Sequence, residues 1–193
     1  MPGTDAEARD FPFHHGRISL SFAGTVRDRG SDPFDRIDTP ARFAAWLEAA
    51  GLIRDATPTA AAHRDALELR EAIARIGRSL ATRSKVRAAD VVRLNDVVRR
   101  TPWRPELDPR TLAVHAGTDP VRSALGRIAR DAIELFGDPA ERERLRTCAL
   151  DSCASVFLTP PAGRERRWCS MERCGNRAKV AAFRERERTA VRR

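Results

Sequence analysis

The chain has 193 residues, 41 % of them hydrophobic and 33 % charged, with a formal net charge of +9. That length holds one medium domain plus a small module, and no apolar run approaches the ~20 residues that a membrane helix needs. The charge is lopsided: residues 164–193 carry 11 Lys+Arg against 4 Asp+Glu, leaving 25 against 23 for residues 1–163, so an anionic partner is expected at the C-terminal end.

Met1 to Phe11 carries no functional signal. Ile18, Leu20 and Phe22 alternate with small polar residues over 17–24, the period of a half-buried strand or extended segment, and Gly24 ends it. Asp28-Arg29-Gly30-Ser31-Asp32-Pro33 reads as a loop. A first helix opens at Thr39-Pro40, places Phe43, Trp46, Leu47 and Ala50 on one face, and stops at Gly51. A longer second helix opens at Thr57-Pro58 and carries Ala66, Leu69, Ile73, Ile76 and Leu80 as a core-facing stripe. A third, around 88–100, presents Val91, Leu94 and Val98 and ends at Thr101-Pro102. Trp103 to His115 is mixed, with Leu112 and Val114 compatible with a short strand. The fourth helix starts at Asp119-Pro120 and runs through Val121, Leu125, Ile128, Ala132 and Leu135 to Gly137. Asp138-Pro139-Ala140-Glu141 restarts a turn, so the connection to the C-terminal module is short and the module should pack on the helices.

Catalytic signals are absent. His14, His15, His63 and His115 show no metal-ligand spacing, and the adjacent His14-His15 reads as a surface pair. Ser19, Ser21 and Thr25 lack the glycines of a nucleophile elbow, and no phosphate loop or dinucleotide fingerprint occurs. The expectation is a protein that is not an enzyme.

All four cysteines lie near the C-terminus, as Cys148-x4-Cys153 and Cys169-x4-Cys174. Two such pairs offer four thiolates to one tetrahedral Zn²⁺. Two disulfides are the alternative, but they require an oxidising compartment, and no secretory signal stands in the first thirty residues. Between the pairs, Val156-Phe157-Leu158 reads as a strand, Pro160-Pro161-Ala162-Gly163 as a turn and Arg166-Arg167-Trp168 as the returning strand. From Asn176 the chain reads as a helix, with Val180 and Phe183 able to pack on the hairpin and Arg177, Arg184 and Arg188 on another face.

The string from Arg167 through Cys169, Cys174, Gly175, Asn176 and Arg177 to Lys179, together with Cys148 and Cys153, resembles the CGNR zinc finger family of bacterial proteins. In that family the finger follows a helical domain called ABATE, described as a stress-induced transcription regulator. The whole chain resembles that arrangement, with Trp46-Leu47-x3-Gly51-Leu52 adding to the likeness. It departs at Ser21 and Gly24, where the family tends to have an Asp and an Asn, and at Thr159, where an Asp usually follows the Phe-Leu pair.

The resulting expectation is a mainly α protein: an ABATE-like helical domain over 12–140 with one or two short strands, and a treble-clef-like finger over 145–190 holding one Zn²⁺ through Cys148, Cys153, Cys169 and Cys174. The resemblance implies a cytoplasmic DNA-binding regulator, with a small-molecule effector and a homodimer as further expectations and no membrane partner. Arg166, Arg167, Asn176, Arg177, Lys179, Arg184 and Arg188 are the candidate nucleic-acid contacts. Three features have competing readings. Asn176 and Arg177 could brace the knuckle against Trp168, Trp168 could be core or a stacking platform, and Glu185 and Glu187 could neutralise Arg184 and Arg188. A protein- or RNA-docking module is the alternative function, as is a ligand-binding helical domain with a merely structural finger.

Overall fold

The computed structural model describes residues 11, 13–54, 57–101, 106–112, 114–115, 119–161 and 166–191. Helices dominate, and every strand is two or three residues long. The chain begins with α1 (Ile18–Ala23), followed by the short strands β1 (Val26–Arg27) and β2 (Phe34–Asp35), which pair antiparallel. Helices α2 (Pro40–Ala49), α3 (Ala60–Ala81) and α4 (Ala88–Arg100) come next. A second two-residue ladder, β3 (Glu106–Leu107) with β4 (Val114–His115), precedes α5 (Pro120–Gly137) and α6 (Pro139–Glu143).

The caps explain most helix starts. Thr39 Oγ1 accepts the amide of Arg42 at 3.2 Å and Asp119 Oδ1 that of Arg122 at 2.9 Å, each with proline at the first helical position. For α3 the cap is Thr59, whose Oγ1 accepts from Ala62 at 3.1 Å, two residues later than the Thr57-Pro58 start expected from sequence. Pro58 is buried instead, ahead of the helix.

The apolar stripes converge on one core. Phe43, Trp46 and Leu47 of α2, Ala66, Leu69, Ile73 and Ile76 of α3, Leu94 of α4, and Val121, Leu125, Ile128 and Ala132 of α5 are all buried in it. Val91 departs from expectation and is 39 % exposed, because α4 turns Leu94, Val97 and Val98 inward instead. Leu112 lies outside the β3–β4 ladder, while residues 102–105, 113 and 116–118 lie outside the described residues.

The expected strand over 17–24 is a helix. Ser19, Leu20, Ser21, Phe22 and Ala23 are all buried in α1, so the segment has no solvent face to impose a helical period. Asp131 of α5 accepts both the backbone N–H of Ser19, at 3.0 Å, and its hydroxyl, which removes the penalty of burying that polar residue.

Buried charge ties the pieces together. Arg70 of α3, 4 % exposed, donates to both oxygens of Asp35 in β2 at 2.7 and 2.8 Å. Arg29 donates to both oxygens of Glu71 beside it. Arg75 grips Asp90 at the start of α4 through three hydrogen bonds, the shortest 2.6 Å. These bidentate pairs meet the geometric condition under which a charge is tolerated away from water.

Candidate metal centre and nucleic-acid interface

After α6 the chain forms β5 (Leu145–Thr147) and β6 (Val156–Leu158), which pair antiparallel with Thr147 opposite Val156. The first cysteine pair sits at the tip of this hairpin. Cys148 donates its N–H to Ser155 O at 2.8 Å and Cys153 donates to Leu150 O at 2.8 Å, while Ala154 takes a left-handed φ of +52° to turn the chain back. β6 therefore pairs with the strand before the first cysteine, not with Arg166–Trp168, which forms no strand. Residues 162–165, which hold the end of the expected turn, lie outside the described residues.

The second pair is built at a helix start. Ser170 caps a π-helical turn, Met171–Gly175, through its Oγ and the amide of Arg173, and the turn runs directly into α7 (Asn176–Val191). Cys174 sits within that turn, its N–H donating to Ser170 O at 3.0 Å. One backbone bond, Ala149 N–H to Arg167 O at 2.8 Å, stitches the two cysteine loops together.

All four cysteines are buried, packed with Phe157, Leu150 and Trp168. Their sulfurs lie within 4.8 Å of one another, and Cys169 Sγ is 3.6 Å from both Cys153 Sγ and Cys174 Sγ. An S–S bond is about 2.0 Å long, so these are not disulfides. A tetrahedral ion with Zn–S near 2.3 Å spaces its sulfurs roughly 3.8 Å apart, which this set matches. Hydrogen bonds among the four hold the Cys153 thiol below its ordinary range and push those of Cys169 and Cys174 up. Trp168 packs against the sulfur cluster and belongs to the finger's core.

The finger is seated on the helices. Leu145, Val156 and Leu158 share a buried cluster with Leu20 of α1 and Leu135 of α5. Leu158 N–H donates to His15 O at 2.9 Å, Gly30 N–H to Ser152 O at 3.0 Å, and Arg78 of α3 to Ala154 O at 3.1 Å. Gly30 is required at its position, because a Cβ there would strike the carbonyl of Asp151. Thr159 donates its N–H and hydroxyl to Arg144 O, and Arg144 Nε returns a bond to Thr159 O at 2.8 Å. The position that departs from the family pattern is therefore an internal bracket.

His14 and His15 correct the expectation of a surface pair. His15 is 2 % exposed, stacked on His14 at 4.6 Å between ring centroids, and fills the space left by the missing side chain of Gly24. Burial, with the neighbouring His14 adding to it, pushes its imidazole down to about 3, so the ring is neutral. Its Nδ1 is buried without a hydrogen-bond partner, and ring nitrogens of both histidines lie within 4.8 Å of Cys169 Sγ. Ser21, the other departure from the family pattern, is buried within α1.

Comparison with known families decides the assignment. A model of the ABATE family, described as "putative stress-induced transcription regulator", matches residues 16–139, and the CGNR zinc finger matches residues 144–187. The chain belongs to the ABATE family. Comparison with curated proteins finds no match. Its four-cysteine set, in the ABATE family's order of helical domain then finger, binds one zinc ion.

Within this ABATE-family chain the candidate nucleic-acid contacts separate into two groups. Arg166 is a strut: its guanidinium lies 5.0 Å over the Phe157 ring and donates to His14 O at 3.3 Å and to Cys169 O. Arg177 donates to Asp28 Oδ1 of the helical domain at 2.7 Å and to Ser152 Oγ of the finger's first cysteine loop at 3.4 Å, while Arg173 reaches the other oxygen of Asp28 at 3.3 Å. The bracing partner of Arg177 is thus Asp28 rather than Trp168. Sequence reasoning missed Asp28 because it stands 149 positions away in a stretch that reads as an ordinary loop.

The second group faces water. Arg167, Asn176, Lys179, Arg184 and Arg188 are exposed, and every residue from Lys179 to Thr189 is exposed, so α7 projects from the body. Val180 and Phe183, expected on the hairpin, are instead 48 % and 56 % exposed. Among the described residues, Glu185 and Glu187 form no ion pair with Arg184 or Arg188. Among the described residues, no helix is long and apolar enough to cross a membrane.

Proposed function

We propose that this protein is a non-catalytic, cytoplasmic transcription regulator that binds duplex DNA through α7. The observation that carries the reading is the projecting helix itself: Lys179, Arg184 and Arg188 stand in water with no partner among the described residues, on a helix whose first turn is fastened at the zinc site. An α-helix fits the major groove, and cations with no internal partner are available to phosphates. Zinc then acts structurally, fixing the angle at which α7 leaves the body. Reduced thiolates suit a reducing compartment.

An effector is part of the same proposal. A cleft of about 580 Å³ opens where the end of α3, α6 and β5 meet, lined by Ser79, Arg83, Ser84, Arg142 and Arg146. Arg142 and Arg146 there already donate to backbone carbonyls and Glu143 also lines the cleft, so Arg83 would anchor a small carboxylate or phosphate, whose position between helices and finger would let it alter the seat of the finger.

The rival reading is a protein- or RNA-docking module, favoured by the exposed Phe183 and Val180. Selection from a random duplex pool with zinc-loaded protein tests the proposal. It is supported by an enriched motif whose affinity falls with salt, and the absence of duplex binding would transfer the assignment to the rival.

A further inference from the structure

The exposed surface of α7 is ordered in rows. At 3.6 residues per turn, Asn176, Val180, Phe183 and Glu187 fall at i, i+4, i+7 and i+11 and form one row along the helix. Arg184 and Arg188 lie about a quarter turn to one side, with Arg177 at the base of the same row, and Lys179 and Arg186 lie about a quarter turn to the other. The rear of the helix carries Ala178, Ala182, Glu185 and Thr189. The apolar pair is therefore flanked by cations on both sides and backed by small or acidic residues.

This arrangement matches a major groove and fits an apolar protein surface poorly. A helix of about 24 Å and 10–12 Å diameter fills a groove about 12 Å wide. With its central row toward the base edges, the two basic rows reach the phosphates of opposite strands. Burying the same row against an apolar partner would bury Glu187 within it and bring Lys179, Arg184, Arg186 and Arg188 along its rim, which costs desolvation with no counter-charge from the partner. Charge complementarity on both flanks thus selects a duplex polyanion.

We infer that Phe183 and Val180 read thymine methyl groups in the major groove, with Asn176 and Glu187 in the same row offering an adenine-type and a cytosine-type contact. This rests on the DNA-binding reading and adds its specificity. Phe183 is the principal reader, since it is the larger and the more exposed of the two.

The test compares duplexes recovered by selection with the same duplexes synthesised with deoxyuridine for thymine, which removes the methyl and leaves pairing intact. Loss of each contacted methyl should weaken wild-type binding roughly fourfold. Phe183→Ala should lose most of the difference between the two duplexes and the double variant Val180→Ala/Phe183→Ala all of it, each retaining its zinc, and because both residues are exposed the substitutions leave the fold intact. Lys179→Gln and Arg184→Gln should weaken both duplexes and keep the thymine preference. Equal wild-type affinity for the two duplexes, a thymine preference undiminished in Phe183→Ala or surviving in the double variant, or duplex binding with no enriched motif would each overturn this inference and leave DNA binding standing. Failure to bind any duplex would overturn both.

Discussion

The clasp between Asp28 and the finger can be tested by Asp28→Asn. Asparagine has the same size and tolerates the left-handed conformation that Asp28 adopts at φ +51°, so the substitution removes charge and little else. Asp28, 14 % exposed, accepts from Arg177 at 2.7 Å and Arg173 at 3.3 Å. Charge-assisted bonds contribute about 1.5–3 kcal/mol when desolvated. Arg177 and Arg173 are 46 % and 29 % exposed, however, and both can turn to water, so each bond is discounted toward the ~0.2–1 kcal/mol of surface pairs. The expected loss is about 1 kcal/mol, or roughly 2–4 °C in Tm for a chain of this size. In a double-mutant cycle with Arg177→Gln, a coupling of about 0.5–1 kcal/mol should appear at low salt and shrink at 1 M. Thermal unfolding with zinc in excess measures it. Strict additivity at low salt would refute the clasp. If Arg177 also serves DNA, Asp28→Asn should tighten duplex binding by releasing it, and unchanged affinity would confine Arg177 to bracing.

Zinc loss should spread beyond the finger. Because Leu145, Val156 and Leu158 share a core with Leu20 and Leu135, Cys174→Ser should lower the melting of the helical domain in one shifted transition by far-UV dichroism, and two independent transitions would contradict the shared core. Acid sensitivity should map partly to Asp90, whose carboxyl the hydrogen bonds from Arg75 hold below the usual carboxylate range despite its burial. A depressed folded pKa stabilises above the unfolded value and is lost as pH falls through the carboxylate range. Asp90→Asn should therefore reduce stability at pH 7, with the gap to wild type closing below about pH 4 in chemical denaturation. A gap constant with pH would assign Asp90 a purely steric role. Duplex affinity should fall with salt at about −0.9 per phosphate contact, and neutralising Arg184 or Arg188 should each reduce that slope by about one. A slope unchanged in both variants would place the phosphates elsewhere.

Whatever depended on neighbours within a turn or two was legible in the chain. Thr39-Pro40 and Asp119-Pro120 announce their helices because the cap hydroxyl or carboxylate meets an amide three residues on. The stripes of α3 and α5 follow from a half-buried period, and four cysteines in two pairs point to zinc, with the disulfide alternative closed by the sulfur separations in the structure. Features set by distant partners were not legible. α1 is buried on all sides, so its sequence has no period to display, and Asp131, far along the chain, makes that burial tolerable. β6 chose Leu145–Thr147 over Arg166–Trp168 because the former docks Leu145 against Leu20 and Leu135, an energy that no local pattern contains. Phe183 and Val180 resemble core residues in sequence and lie in water because α7, continuing from the turn that carries Cys174, has no other element packed on its surface from Lys179 to Thr189. The bond from Arg177 to Asp28 exists only once the finger is seated. Local composition thus determined the elements and the metal, while their mutual packing decided which cations are braced and which remain available to a partner.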